Sequence, residues 1–98
     1  MMTVYVISQI SIFNREEYDL YASKFMDVFE QFNGKMLSVD DEPKVIAGHF
    51  EASRSILIEF PDKEEAYAWM TSPAYQEIAK HRDAGATLNT ILVKALND

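Results

Sequence analysis

"SILIEFPDKEEAYAWMTSPAYQEI", residues 55–78, decides how this chain folds. Its opening alternates Ile56, Ile58 and Phe60 against Leu57 and Glu59, the two-residue period of a strand. Pro61 has no amide hydrogen to give a ladder, so the strand ends there. Asp62 with Glu65 three residues on is an N-cap followed by a first-turn acid. That pattern predicts a helix over 62–71, with Ala66, Trp69 and Met70 turned inward. Ser72 caps a new helix whose first position is Pro73, where the missing donor costs nothing. This second helix, 73–84, carries Tyr75, Ile78, Ala79 and Arg82 on one side and stops at Gly85. An acid, Glu59, thus interrupts an apolar strand, and Trp69 and Tyr75 flank the Ser-Pro break. They either surround a binding site or brace a small fold.

Outward from this stretch, "TVYVISQISI" (3–12) is β-branched like a strand. Alternation puts Val4, Val6, Ile10 and Ile12 on one face and Tyr5 and Ile7 on the other. Residues 14–34 read as a helix capped by Asn14 and Glu17. Its apolar stripe is Tyr18, Tyr21, Ala22, Phe25, Val28, Phe29 and Phe32, and Asn33-Gly34 supplies the stop. That stripe reads as packing onto a sheet. Short strands are predicted at 35–39 and 44–48 around an acidic turn, then a loop over 49–54, and 87–96 is the closing strand. The order is β-α-β-β-β-α-α-β. With the 35–48 hairpin folded into the middle, this is the β-α-β-β-α-β split plan, an α+β fold with an antiparallel sheet and helices on one face.

Residues 1–98 read as a single domain whose core is thin for its length. Both faces of the predicted sheet carry apolar residues, whereas a face left to water shows a cleaner alternation. A second copy packed sheet to sheet would cover the outer face, and two-fold pairing is the commonest arrangement. The expected partner is therefore the chain itself, as a homodimer.

Nine basic against sixteen acidic residues give a net charge of −7. This charge repels phosphate backbones and anionic membrane surfaces, so neither nucleic acid nor membrane is an expected partner. The absence of cysteine removes disulfides, thiolate nucleophiles and cysteine metal sites together. The start carries no basic, apolar leader pattern, and no apolar run approaches the ~20 residues that span a bilayer. The expectation is a soluble cytoplasmic protein.

"GHFEASRSILIEFPDKEEAYAWMTSPAYQEIAKHR" (48–82) resembles the core signature of an uncharacterised family, domain of unknown function thirteen-thirty. The matching residues are Gly48, Phe50, Arg54, Glu59-Phe60-Pro61, Ala66, Trp69, Ser72-Pro73, Tyr75 and Arg82, and the likeness continues through 5–21. Asn14, where an Asp is usual, Ala47, where an acid often precedes the glycine, and the missing closing glycine depart from the pattern. The resemblance implies the ferredoxin-like, dimeric α/β-barrel superfamily. That superfamily includes cofactor-independent monooxygenases, muconolactone isomerases and dye-decolourising haem enzymes. It also implies a ligand cleft between sheet and helices.

Trp69 and Tyr75 offer that cleft an apolar wall with two polar tips, which suits a planar organic ligand; equally, they are core residues under a helix break. Glu59, were it to face the helices, is a candidate base, or else a buried ion-pair partner of Arg54 or Arg82, or a group at the dimer face. Arg82 and Arg54 are candidate ligand-binding cations, and an arginine fork suits a carboxylate. His49 is a weak acid–base candidate, and His81 reads as a solvated helix residue. The two histidines have no metal-ligand spacing, and no phosphate loop or nucleophile elbow is present. Neither metal nor cofactor is expected. Two functions stand: a small-molecule-binding domain with cofactor-independent oxygenase or isomerase chemistry, or a non-catalytic dimeric sensing or structural module.

Overall fold

A computed structural model describes residues 2–96. Strand β1 spans Val4–Ile12, helix α1 Arg15–Phe29 and strand β2 Lys35–Asp40. Strand β3 spans Arg54–Phe60, helix α2 Lys63–Met70, helix α3 Pro73–Gly85 and strand β4 Ala86–Lys94. The four strands form one antiparallel sheet in the order β2-β3-β1-β4. This is the ferredoxin-like α+β plan.

The expected strand at 44–48 is absent. Residues 41–53 instead form one long loop in which Ile46 is 97% exposed and Gly48 takes a φ of 76°. A β-branched pair beside a glycine has strand propensity, but it has no neighbour to pair with and no core to face. Helix α1 ends sooner than its pattern suggests. The chain tightens after Phe29 into two single-turn bonds, Gln31 N to Val28 O and Phe32 N to Phe29 O, before reaching Gly34. There a Cβ would lie 2.6 Å from the Phe29 ring and 2.7 Å from Phe60. Glycine is required by packing at that position, since its φ is negative.

The predicted caps are observed. Asn14 accepts from Glu17 N, Asp62 from Glu65 N and Ser72 from Tyr75 N. Each satisfies an amide that the first turn would otherwise leave orphaned. Around the α2–α3 break, the Ser72 hydroxyl also donates to Trp69 O at 2.9 Å, and Gln76 Nε2 donates to Met70 O at 2.6 Å. These bonds hold the two helices at a fixed bend, which sets Trp69 and Tyr75 side by side with ring centroids 4.6 Å apart.

The core lies between the helices and the inner face of the sheet: Val4, Val6, Ile10, Ile56, Ile58 and Phe60 below, Tyr18, Tyr21, Phe29, Trp69, Tyr75 and Ile78 above. Phe60 stacks against Trp69 at 5.5 Å, and Phe29 meets both edge-on. Removing either large ring costs about 3–5 kcal/mol. Helices α1 and α3 cross closely at Gly85. A Cβ there would sit 2.5 Å from Tyr18 N and 2.7 Å from Asn14 O, while its carbonyl accepts from both Phe13 N and Asn14 N. His81, still partly solvated, adds a second tie, with Nδ1 3.0 Å from Glu17 Oε2.

Candidate functional site

Beneath α1 and α3 the core is not fully closed. A cleft of about 420 Å³ runs between the helices and the strands β1, β3 and β4. Its floor is apolar except at Ser8 and Thr90, register partners whose hydroxyls meet at 2.8 Å. Its upper wall comes from Tyr21, Phe25, Trp69, Met70, Tyr75, Gln76 and Arg82. The volume suits a small organic molecule, and an apolar wall with few polar groups is the usual character of such a site.

Three of those polar groups form one connected relay. Arg82 Nη1 donates to the Tyr75 hydroxyl at 3.0 Å, and that hydroxyl lies 2.9 Å from the hydroxyl of Tyr21. The guanidinium carbon stands 5.7 Å from the Tyr75 ring centroid, a cation–π contact that reinforces the bond. The other edge of Arg82 is held by Asp83, whose Oδ1 takes a bond from Nε at 3.0 Å.

The electrostatics follow from burial. Desolvation pushes the Tyr21 hydroxyl far above the ordinary phenol range, and the adjoining Tyr75 adds to the rise, so Tyr21 keeps its proton. Burial raises Tyr18 as well, against the pull of the Arg54 guanidinium. Burial alone would lower Arg82, but Tyr75 and Asp83 outweigh it and leave a fixed cation. When the protonated Tyr21 donates to Tyr75, the Tyr75 oxygen accepts from Tyr21 and Arg82 together. Its own proton is then free for a ligand.

Of the residues singled out from sequence, Trp69, Tyr75 and Arg82 meet in this cleft. Trp69 and Tyr75 are only 3% and 5% exposed, so they are core residues and cleft wall at once. Arg54 does not join them. It emerges from the start of β3 into a smaller neighbouring cavity, with Nη1 2.6 Å from Asp41 Oδ1 and its guanidinium over the Tyr18 ring at 5.8 Å. Glu59 does not face the helices. It is in register with Tyr5 and Lys35 on the opposite side of the sheet, because Ile58 and Phe60 take the inner positions. The ion pairs expected of it go elsewhere, Arg54 to Asp41 and Arg82 to Asp83. His49 is exposed on the 41–53 loop and takes no part in the cleft wall.

Sequence reasoning missed Tyr21, Ser8 and Thr90. Tyr21 was legible only as one member of an apolar stripe. A tyrosine where phenylalanine would pack equally well is the signal that a hydroxyl partner waits inside. Ser8 interrupts the inner row Val4-Val6-Ile10, and a buried hydroxyl there needs a partner, which Thr90 supplies.

The chain matches the family described as domain of unknown function (DUF1330) over residues 3–96. It belongs to that family. Among curated proteins none matches. A solved protein of unknown function from Rhodopseudomonas palustris is 19% identical, with a TM-score of 0.82 over 99% of this chain and 85% of that one. The cofactor-independent oxygenase SnoaB from Streptomyces nogalater is 12% identical, with a TM-score of 0.69 over 100% of this chain and 97% of its own. A dimeric ferredoxin-like protein of unknown function from Thermobifida fusca is 6% identical, with a TM-score of 0.68 over 96% and 92% of the two chains. These likenesses show a shared ferredoxin-like fold. Among the described residues no helix is long and apolar enough to cross a membrane.

Proposed function

We propose that this family member is a cytoplasmic homodimer that binds a small planar organic acid in the cleft between sheet and helices. The carrying observation is the Arg82–Tyr75–Tyr21 relay set into a largely apolar wall. A ring fits against Phe25 and Trp69 above and Val6 and Ile10 below. Its carboxylate or enolate oxygen accepts from Arg82 and from the freed Tyr75 proton, and donors to an ionised group make the stronger hydrogen bonds.

Two donors converging on one oxygen would also stabilise an enolate formed during reaction. This is the feature that supports cofactor-independent oxygenase- or isomerase-type chemistry, and the shared fold with an oxygenase of that kind is in keeping with it. A second reading, ligand sensing or a structural role without chemistry, draws support from the composition of the wall. No carboxylate or imidazole lines the cleft among the described residues, so no conventional base faces the ligand.

Support for the dimer comes from the outer sheet face. Tyr5, Ile7, Leu57, Ile91 and Val93 occupy adjacent register positions there, and Ile91 is 57% exposed. An apolar row of this kind on a slab whose Cα extents are 38 × 37 × 15 Å is suited to a second copy. The ligand reading is tested by thermal shift and calorimetry with planar aromatic acids on the wild type and Arg82→Gln. Binding that weakens at least tenfold in the variant, with the fold retained, supports it. Equal binding by both proteins, or none by either, overturns it.

A further inference from the structure

The smaller cavity beside the cleft has a volume of about 210 Å³ and lies between α1 and the strands β2 and β3. It shares three walls with the main cleft: Tyr21 and Phe25 from α1 above, and Ile56 from β3 below. The two hollows therefore adjoin beneath the same helix, one toward β4 and the other toward the β2 edge. Each ends in an arginine, Arg82 at one end and Arg54 at the other.

Arg54 is incompletely used by the protein itself. Asp41 takes only Nη1, and Nε is buried with no partner among the described residues. A buried donor left unpaired is costly, and the cost is tolerated where a ligand acceptor completes it. Arg54 is also held against the Tyr18 ring, and its side chain is 19% exposed, so its fork is oriented before any ligand arrives.

We infer that the two hollows form one slot for a ligand with an acidic group at each end, held by Arg82–Tyr75 at one terminus and Arg54 at the other, with an unsaturated body under Tyr21 and Phe25. The sheet sets the scale. The two linings run from β2 to β4, three strand spacings or about 14 Å across, which leaves length for a rigid aromatic diacid and more than a single small acid needs. The inference rests on the ligand-binding reading above and specifies its ligand class.

The test is calorimetry with benzoate, terephthalate and biphenyl dicarboxylate on the wild type, Arg54→Gln, Arg54→Lys and Arg82→Gln. A diacid should bind about tenfold or more tighter than benzoate, since a second charge-assisted bond adds that much. Arg54→Gln should abolish this advantage, bringing the diacids down to the affinity of benzoate, and Arg54→Lys should recover only part of it, because the fork is lost. If benzoate and both diacids bind equally to the wild type, the two-ended slot is wrong while the Arg82 site stands. If none binds, both fall. The wild-type comparison decides even if a variant does not fold.

Discussion

The hydroxyl of Tyr75 lies 2.9 Å from that of Tyr21 and 3.0 Å from Arg82 Nη1, so a residue of α3 links α1 to the cation at the cleft mouth. Both phenols are only 5% exposed, so each depends on its partner for most of its hydrogen bonding. Tyr75→Phe leaves Tyr21 unpaired, and Tyr21→Phe takes a partner from Tyr75. Each single change should cost about 1–2 kcal/mol, while the double change should cost clearly less than the sum of the two. Urea unfolding of the four proteins measures this coupling, and strict additivity would refute it.

Tyr18 and Tyr21 both hold their protons more tightly in the folded chain than the ordinary phenol value of 10.0. Below that pH both states are protonated and stability is unaffected. Above it the unfolded chain releases protons that the fold retains, so stability falls as pH rises. The melting temperature should therefore drop steeply beyond about pH 10, and Tyr21→Phe should flatten the decline. Phenolate absorbance should show these two tyrosines ionising only as the protein unfolds.

Gly85→Ala is expected to destabilise by about 1–3 kcal/mol or more, since the new methyl would meet backbone atoms of α1 that cannot rotate away. Gly48→Ala should cost less through packing, because nothing lies within 4 Å of that position, and its penalty comes from the φ of 76° alone. Denaturant midpoints of the two variants separate crowding from backbone strain.

Glu59→Gln should leave ligand affinity unchanged, because the side chain sits on the sheet face opposite the cleft. Ile91→Asp, on that same outer face, should shift the molar mass measured by light scattering from dimer to monomer. Loss of ligand binding in Glu59→Gln would contradict the face assignment, and an unchanged mass in Ile91→Asp would contradict the dimer.

The elements with strong local signals are legible in the sequence. Asn14, Asp62 and Ser72 each announce a helix start, Pro61 a strand end, and the alternation in β1 and β3 correctly separates the two faces. That alternation already placed Glu59 with Leu57, and only the choice of which face met the helices remained open. What stayed hidden depends on contacts distant in sequence. Residues 44–48 have strand propensity but no partner, and pairing decides a strand more than propensity does. The Tyr21–Tyr75 bond joins positions 54 residues apart, and no local pattern encodes it. Arg54 and Arg82 read alike in sequence, yet one points toward β2 and the other toward β4.

Strand β2 contains a register shift between Met36 and Ser38, which lets Met36 and Val39 both turn toward the smaller cavity although they are three residues apart. The extra residue, Leu37, bends and twists the border of the sheet. A border distorted in this way is a poor template for an incoming strand of another molecule. Fibre-like growth along that edge is thereby discouraged.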